Sequence, residues 1–329
     1  MKKLLFLIKR VFKMDYKQMF ETIDAINKKT GISKLAIFKD MTNCAIKYGS
    51  GYSDYNLFEM YDLTDEQRDT YITRGRNNGL VLKYNDKNYR HFIDNKVEFN
   101  ERYGEFLKRE WIKVDGSKKE DVINFLKKHS SFMAKPIIGT CGVGIEKIKV
   151  QDFENYEKLY QYLINKNFLL EELIKQHDEI NKVYSGAVNT ARVVTILKED
   201  KLHFICVCFR IGNSGFVDNF HNGGMLAPVD IETGTVMNHA VDRYKNLYVN
   251  HPQTGYQIKG FKFPDWKEAL EMCEKASHIT PEVRYVGWDV AFSNKGPLLI
   301  EANDIPAYDL FQLPAHRPDR KGVWHLFNI

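Results

Sequence analysis

Asp289, Glu301 and Asn303 have the types and spacing to hold a cation. They lie in two short apolar runs, Gly287-Trp288-Asp289-Val290-Ala291-Phe292 and Pro297-Leu298-Leu299-Ile300-Glu301-Ala302-Asn303, joined by Asn294-Lys295-Gly296. A three-residue hairpin loop with glycine at its left-handed position fits that joint. It pairs Ser293 with Pro297 and sets Asp289 opposite Glu301, and Asn303, two residues on, shares the face of Glu301. Two carboxylates facing each other across a ladder repel. A divalent cation between them removes the repulsion, and oxygen-only ligands suit Mg²⁺. The competing reading is a solvated hairpin, which the apolar opposite faces argue against.

A second set surrounds a glycine-rich turn. The run Phe132-Met133-Ala134-Lys135-Pro136 passes through Ile137-Ile138-Gly139-Thr140-Cys141-Gly142-Val143-Gly144 into Ile145-Glu146-Lys147-Ile148. The flanks are short and lack helical periodicity, so strand, glycine loop, strand is expected. Glycines let backbone N–H groups approach an anion, and Lys135 adds a point charge for phosphate. The loop lacks the Gly-Lys-Ser/Thr ending of a P-loop, and no helix follows it.

Further polar residues interrupt apolar strands. Glu171 and Glu172 break Phe168–Ile174, with Asp178 and Glu179 close behind. A buried carboxylate needs hydrogen-bond donors, and an adenine amino group or ribose hydroxyls would supply them. Arg192 sits inside Ala191–Leu197, and Arg210 ends the next strand before the loop Asp218-Asn219-Phe220-His221-Asn222-Gly223-Gly224. A lone buried arginine is more often half of a structural ion pair. Two beside such a loop suit a clamp on phosphoryl or carboxylate groups.

The elements that must position these residues fall into two textures. Up to about residue 90 the chain reads as helical: Tyr16 to Lys29 stops at Gly31, Ser33 to Lys47 stops at Gly49, and Thr64 with Gln67 forms a capping box. Asp115-Gly116-Ser117 reads as the cap of a helix running to Lys128. From Phe132 onward short apolar runs alternate with Gly and Asn, and one helix, Trp266 to Ser277, precedes the last two strands. A helical front followed by an α+β body is the expected architecture.

Composition sets the bounds. The 329 residues are 43% hydrophobic and 28% charged, which is ordinary for a globular chain of two or three domains. A net charge of +5 is mildly basic and does not indicate nucleic acid as a partner. Five cysteines without metal spacing point to a reduced, cytoplasmic setting. No run is long enough to span a membrane. In residues 1–13, Leu4, Leu7, Ile8, Val11 and Phe12 share a helical face and five basic residues surround it. Two readings stand side by side: a basic helix on an anionic bilayer at the inner membrane face, or a first helix docked on its own domain.

Taken together, Lys135 with its glycine flap, the Glu171-Glu172 strand and Asp289…Glu301-x-Asn303 occur in an order that resembles the ATP-grasp superfamily. His91-Phe92-Ile93-Asp94-Asn95-Lys96, Arg109-Glu110-Trp111, Asn189-Thr190-Ala191-Arg192 and Val217 to Gly224 look like its sugar-transfer-associated branch, over roughly residues 40 to 310. The resemblance implies an ATP-grasp fold of two α+β lobes clasping ATP behind a helical N-terminal region. The domain division would be 1–90, then 91–329, with a small lobe at about 115–172 and a C-terminal lobe at 173–329. It implies Lys96 and Lys135 on phosphates beneath a flap of Gly139, Thr140, Gly142 and Gly144. Glu171, Glu172 and Leu173 would lie at adenine, Asp178 or Glu179 at ribose, and Asn222 as a further nucleotide contact. Asp289, Glu301 and Asn303 would hold Mg²⁺, with Arg192, Arg210 and Lys135 as catalytic residues. Cys141 departs from the small residues usual in such a flap.

The activity this implies is ATP-dependent joining of a carboxylate to an amine through an acyl phosphate. The expected partners are a small-molecule or glycan carboxylate, such as a uronic acid in surface polysaccharide synthesis, and an amine or amino acid. A phosphotransferase and a non-catalytic nucleotide-binding module are the alternatives. The oligomeric state does not follow from the sequence.

Overall fold

The computed structural model describes residues 14–138 and 143–327. The chain forms two compact units. One takes the described residues up to Gly79 together with those from Gln312 onward, and the other spans Leu80–Phe311. Sequence texture places the boundary near residue 90 and leaves the last residues with the β-rich body. Instead, the residues after Phe311 rejoin the helical front. Gln312 explains the return: its Oε1 accepts from the Ile72 N–H at 3.1 Å, and its Nε2 donates to the Ile72 carbonyl at 2.5 Å.

In the first unit, Tyr16–Thr30 and Lys34–Tyr48 are amphipathic helices. Met19, Ile23 and Ile26 are buried on one, and Ile37, Met41, Cys44 and Tyr48 on the other, at helical spacing. Asp15 and Ser33 cap their starts, and Gly31 and Gly49 take left-handed φ of 75° and 70° at their ends. Thr64 and Gln67 form the expected capping box on Asp65–Asp69. The expected cap at Asp115 differs, because a 3₁₀ turn at Gly116–Lys118 precedes the helix Lys119–Lys128.

Among the described residues of the second unit, the strands build two antiparallel sheets. The first has the order β1-β4-β2-β3, from β1 (Trp111–Lys113), β2 (Ser131–Pro136), β3 (Glu146–Lys149) and β4 (Phe168–Glu172). Helices Lys119–Lys128 and Tyr156–Ile164 cover one face. Phe125, Leu126, Leu159 and Leu163 pack there against Phe132, Ala134, Phe168 and Leu170. Each such side chain contributes about 1.5–3 kcal/mol on burial. Strand alternation then obliges Met133, Lys135, Leu169 and Glu171 to face the other way.

The second sheet has the order β11-β10-β5-β6-β7-β8-β9. Its strands are β5 (Thr190–Lys198), β6 (Lys201–Ile211), β7 (Met225–Val229), β8 (Ala240–Asp242), β9 (Leu247–Tyr248), β10 (Tyr285–Ser293) and β11 (Gly296–Asn303). The helix Trp266–Ser277 buries Trp266, Ala269, Met272, Cys273 and Ala276 in the core that also holds Val193, Phe209, Trp288, Val290 and Phe292. Those core residues lie on one face, and Arg192, Arg210 and Asp289 emerge on the other.

The hairpin between β10 and β11 departs from expectation in an instructive way. Its turn is two residues, with Ser293 paired to Gly296 and Phe292 to Pro297. That register alone would set Asp289 opposite Ile300. A bulge at Ile300 corrects it: Val290 pairs with Leu299, while Asp289 pairs with Glu301.

Candidate functional site

The bulge has a second effect. Consecutive residues of a regular strand face opposite sides, yet Ile300 and Glu301 both line one cleft of about 250 Å³. The first sheet contributes Met133, Lys135, Glu171 and Glu172, and the segment that leaves it contributes Leu173 and Ile174. The second sheet adds Thr190, Arg210 and Asp289. Beyond Lys135, Glu171, Ile300 and Glu301 lies a smaller chamber of about 30 Å³, lined also by Asp94, Lys96, Asn100 and Asn303.

Electrostatics on the sheet floor begin with Asp289. Arg192 is its partner on β5, and both Nε and Nη2 of Arg192 donate to the carboxylate. Arg210 Nη1 donates to the same Oδ2 at 2.6 Å, and its Nη2 reaches Asp218 Oδ1 at 3.0 Å. Burial opposes the charge on Asp289, but Arg192 and then Arg210 overcome it and hold the carboxyl well below its ordinary range. Gly287 makes the arrangement possible, since a Cβ there would meet Arg192 Cδ at 3.2 Å and Pro306 Cβ at 3.4 Å. The repulsion expected of a bare Asp289–Glu301 pair is therefore relieved by arginines. Glu301 also faces the cleft, and burial, then Asp289, raise its pKa.

Glu171 is also fully engaged, and the donors are the protein's own rather than a nucleotide's. Arg109 Nη2 lies 2.8 Å and Asn100 Nδ2 3.0 Å from Oε1, and Lys135 Nζ lies 2.5 Å from Oε2. Burial alone would push this carboxyl up, yet Arg109 and Lys135 hold it well below the usual carboxylate range.

Lys96 begins the helix Lys96–Arg102, which Asn95 caps through the Val97 N–H at 3.0 Å. Its own N–H donates to the Ile137 carbonyl at 3.2 Å, tying it to the end of β2. Burial lowers the Lys96 ammonium pKa. Asp94 is pushed up to about 7 by burial and by the neighbouring Asp304, which Arg90 pairs.

A model of sugar-transfer-associated ATP-grasp proteins matches residues 69–321. The chain belongs to that family. No curated protein sequence matches it significantly. Among solved structures, the ATP-grasp ligase PsnB in complex with its minimal precursor, Mg and ADP is 15% identical, with 68% of this chain and 53% of PsnB covered and a TM-score of 0.41. D-alanyl-alanine synthetase A from Vibrio cholerae is 12% identical, with 72% and 62% covered and a TM-score of 0.44. The ADP complex of PurK, an N5-carboxyaminoimidazole ribonucleotide synthetase, is 9% identical, with 65% and 45% covered and a TM-score of 0.42. The chain spans about half the length of PsnB.

Within this ATP-grasp chain the cleft gathers Lys135, Glu171, Glu172, Leu173, Arg210, Asp289 and Glu301, and the smaller chamber adds Lys96 and Asn303. Arg192 is 7% exposed and lies behind Asp289 rather than in the cleft lining. Asp178 bonds to Asn294, Glu179 pairs with Lys182 on the exposed side of the helix Asp178–Val183, and neither lines the cleft. Asn222 is likewise outside the lining, and its N–H closes a turn onto the Asn219 carbonyl. Gly144 takes φ of 75° at the end of the flap, while Gly139, Thr140, Cys141 and Gly142 lie outside the described residues. Residues 1–13 lie outside them too, and no described helix is long and apolar enough to cross a membrane.

Sequence reasoning missed Asp218, Arg109 and Asn100 as site residues. Asp218 accepts from the Thr190 N–H at 3.1 Å and from its hydroxyl at 2.5 Å, and so joins its loop to β5. Burial raises its pKa despite Arg210. Arg109 and Asn100 lie in charged and polar stretches, and their partner Glu171 is 62 and 71 positions away.

Glu301 and Asn303 offer the oxygen donors that Mg²⁺ requires. Asn303 Nδ2 donates to the Gly287 carbonyl at 3.4 Å, leaving its Oδ1 as an acceptor beside Glu301. Among the described residues no cluster of three or more His, Cys, Asp or Glu could hold a metal.

Proposed function

We propose that the protein is an ATP-dependent carboxylate–amine ligase working through an acyl phosphate. The observation that carries this reading is the shared wall of the two chambers, where Lys135, Glu171 and Glu301 stand between a larger cleft with one apolar side and a small polar pocket. Met133, Ile145, Ile174 and Ile300 offer flat apolar surface for a purine, and main chain at Glu172 and Leu173 offers hydrogen bonds to its edge. Lys135 and Lys96 take the phosphates. Glu301 and Asn303, with Asp289, hold Mg²⁺, which neutralises charge on the transferring phosphoryl group when bound.

A carboxylate oxygen of the substrate attacks the γ-phosphorus, and the bond to the β-phosphate oxygen breaks to release ADP. The amine nitrogen then attacks the acyl carbon, phosphate leaves, and the nitrogen loses a proton to solvent. Arg210, anchored by Asp218 and Asp289, stands at the cleft where charge develops on the acyl phosphate and the tetrahedral adduct. Fixed donors of this kind need no reorganisation during the reaction. The sugar-transfer association of the family supports a uronic acid or related carboxylate of a surface polysaccharide as the acid, with an amino acid or amine as the nucleophile.

Product analysis with ATP, Mg²⁺ and a panel of uronic acids and amines tests the proposal. ADP with a condensed amide is the expected result. ADP with a stable phosphorylated sugar would mean a phosphotransferase, and the absence of turnover with every pair would mean a nucleotide-binding module.

A further inference from the structure

Arg109 is 2% exposed in its side chain and reaches both sheets. Its Nη1 donates to the carbonyls of Leu299 at 2.6 Å and Leu107 at 3.3 Å. Its Nη2 donates to the Ile300 carbonyl at 3.1 Å and to Glu171 Oε1 at 2.8 Å. Leu299 and Ile300 form the bulge that turns Glu301 into the cleft. Glu171 in turn holds Lys135 through its other oxygen. One guanidinium thus fixes the bulge on β11 and shares the carboxylate that binds the lysine on β2.

We propose that Arg109 is a positioning residue that keeps Lys135 available to the phosphates of ATP. The proposal rests on the nucleotide reading above. Arg109, Lys135 and Glu171 together carry one net positive charge, in a buried setting where charges interact strongly. Without Arg109 the whole charge of Glu171 falls on Lys135, the group becomes neutral, and phosphate must compete with a buried carboxylate for the ammonium. A guanidinium suits the task because its planar fork serves a carboxylate and three carbonyls at once. A purely structural weld between the sheets would instead affect every ligand of the cleft alike.

Calorimetric titration of the full chain with ATP and Mg²⁺, and separately with adenosine, distinguishes the two. Arg109→Met should lose about tenfold or more in ATP affinity while adenosine binding changes by less than about twofold. Arg109→Met combined with Glu171→Gln removes the competing carboxylate, returns the net charge to that of Lys135 alone, and should recover most of the ATP affinity. If Arg109→Met does not fold, Arg109→Gln, which keeps a donor for the Ile300 carbonyl, is measured in the same way with its own Glu171→Gln double variant. Equal losses for ATP and adenosine, or a double variant no better than the single, overturn the role of Arg109 alone. A wild-type chain that binds no ATP overturns the nucleotide reading, and Arg109 with it.

Discussion

Asp289 and Glu301 face each other across the β10–β11 ladder, yet Arg192 and Arg210 bond Asp289 while Glu301 is turned into the cleft. Two carboxylates in register thus do different work. Asp289 anchors two buried arginines, and Glu301 faces the cleft.

That division predicts opposite stability effects. Asp289→Asn leaves the buried Arg192 guanidinium without its carboxylate and Arg210 with Asp218 alone, and should cost about 3–5 kcal/mol. Glu301→Gln removes a buried charge whose ionisation burial and Asp289 oppose, so its stability should match or exceed that of the parent. Both should lose ATP turnover. Urea denaturation beside an ADP-release assay checks the pair, and a fully stable Asp289→Asn chain would refute the anchoring role.

Lys135→Met removes a charge-assisted phosphate contact and should weaken transition-state binding by about 2–3 kcal/mol. Folding should survive, because Glu171 keeps Arg109 and Asn100. Steady-state rates with ATP supply the measurement, and unchanged kcat/KM would remove Lys135 from the site.

Arg192→Lys tests which arginine faces the chemistry. Arg192 spends its fork on both oxygens of Asp289, a pairing that lysine cannot reproduce. The expected outcome is a lower melting temperature with turnover falling in proportion to the folded fraction. A fully folded variant that binds ATP normally but has lost ligation would place Arg192 in the chemical step instead.

Glu171 predicts a pH dependence. Its folded pKa lies below the ordinary 4.5, so its stabilisation is complete above that value and is lost as pH falls toward the folded pKa. Glu171→Gln should be less stable than the parent at pH 7. The gap should close below pH 4.5 at up to about 1.4 kcal/mol per pH unit. Thermal melts of both chains at pH 7, 4.5 and 3.5 would show this, and a gap independent of pH would mean that Glu171 is not charged in the fold.

Much of the fold in both units is local in origin and was legible for that reason. Alternation along Phe132–Pro136 dictates that Lys135 leaves the core face once Phe132 and Ala134 are buried. Asp15, Ser33 and Thr64 bond to N–H groups within three residues, so these caps need no tertiary information. The elements that escaped notice are short or weakly patterned, such as β8 and β9 with three and two residues. Register was harder to read. Asp289 does face Glu301, but through a two-residue turn and a bulge at Ile300 rather than a longer loop.

The amino-acid sequence by itself determined which residue types are present, their order, and the face of each strand on which they emerge, because those follow from two-residue periodicity and local hydrogen bonding. Which charges neutralise one another was decided by the tertiary structure. Arg192 meets Asp289 from 97 positions away, Arg109 meets Glu171 from 62, and Arg109 meets the carbonyl of Ile300 from 191. A buried ion must be compensated by whatever the fold brings within about 3 Å of it. Sequence spacing carries no record of those encounters, and so a pair of carboxylates that reads as bare and mutually repelling has one member bound by two arginines.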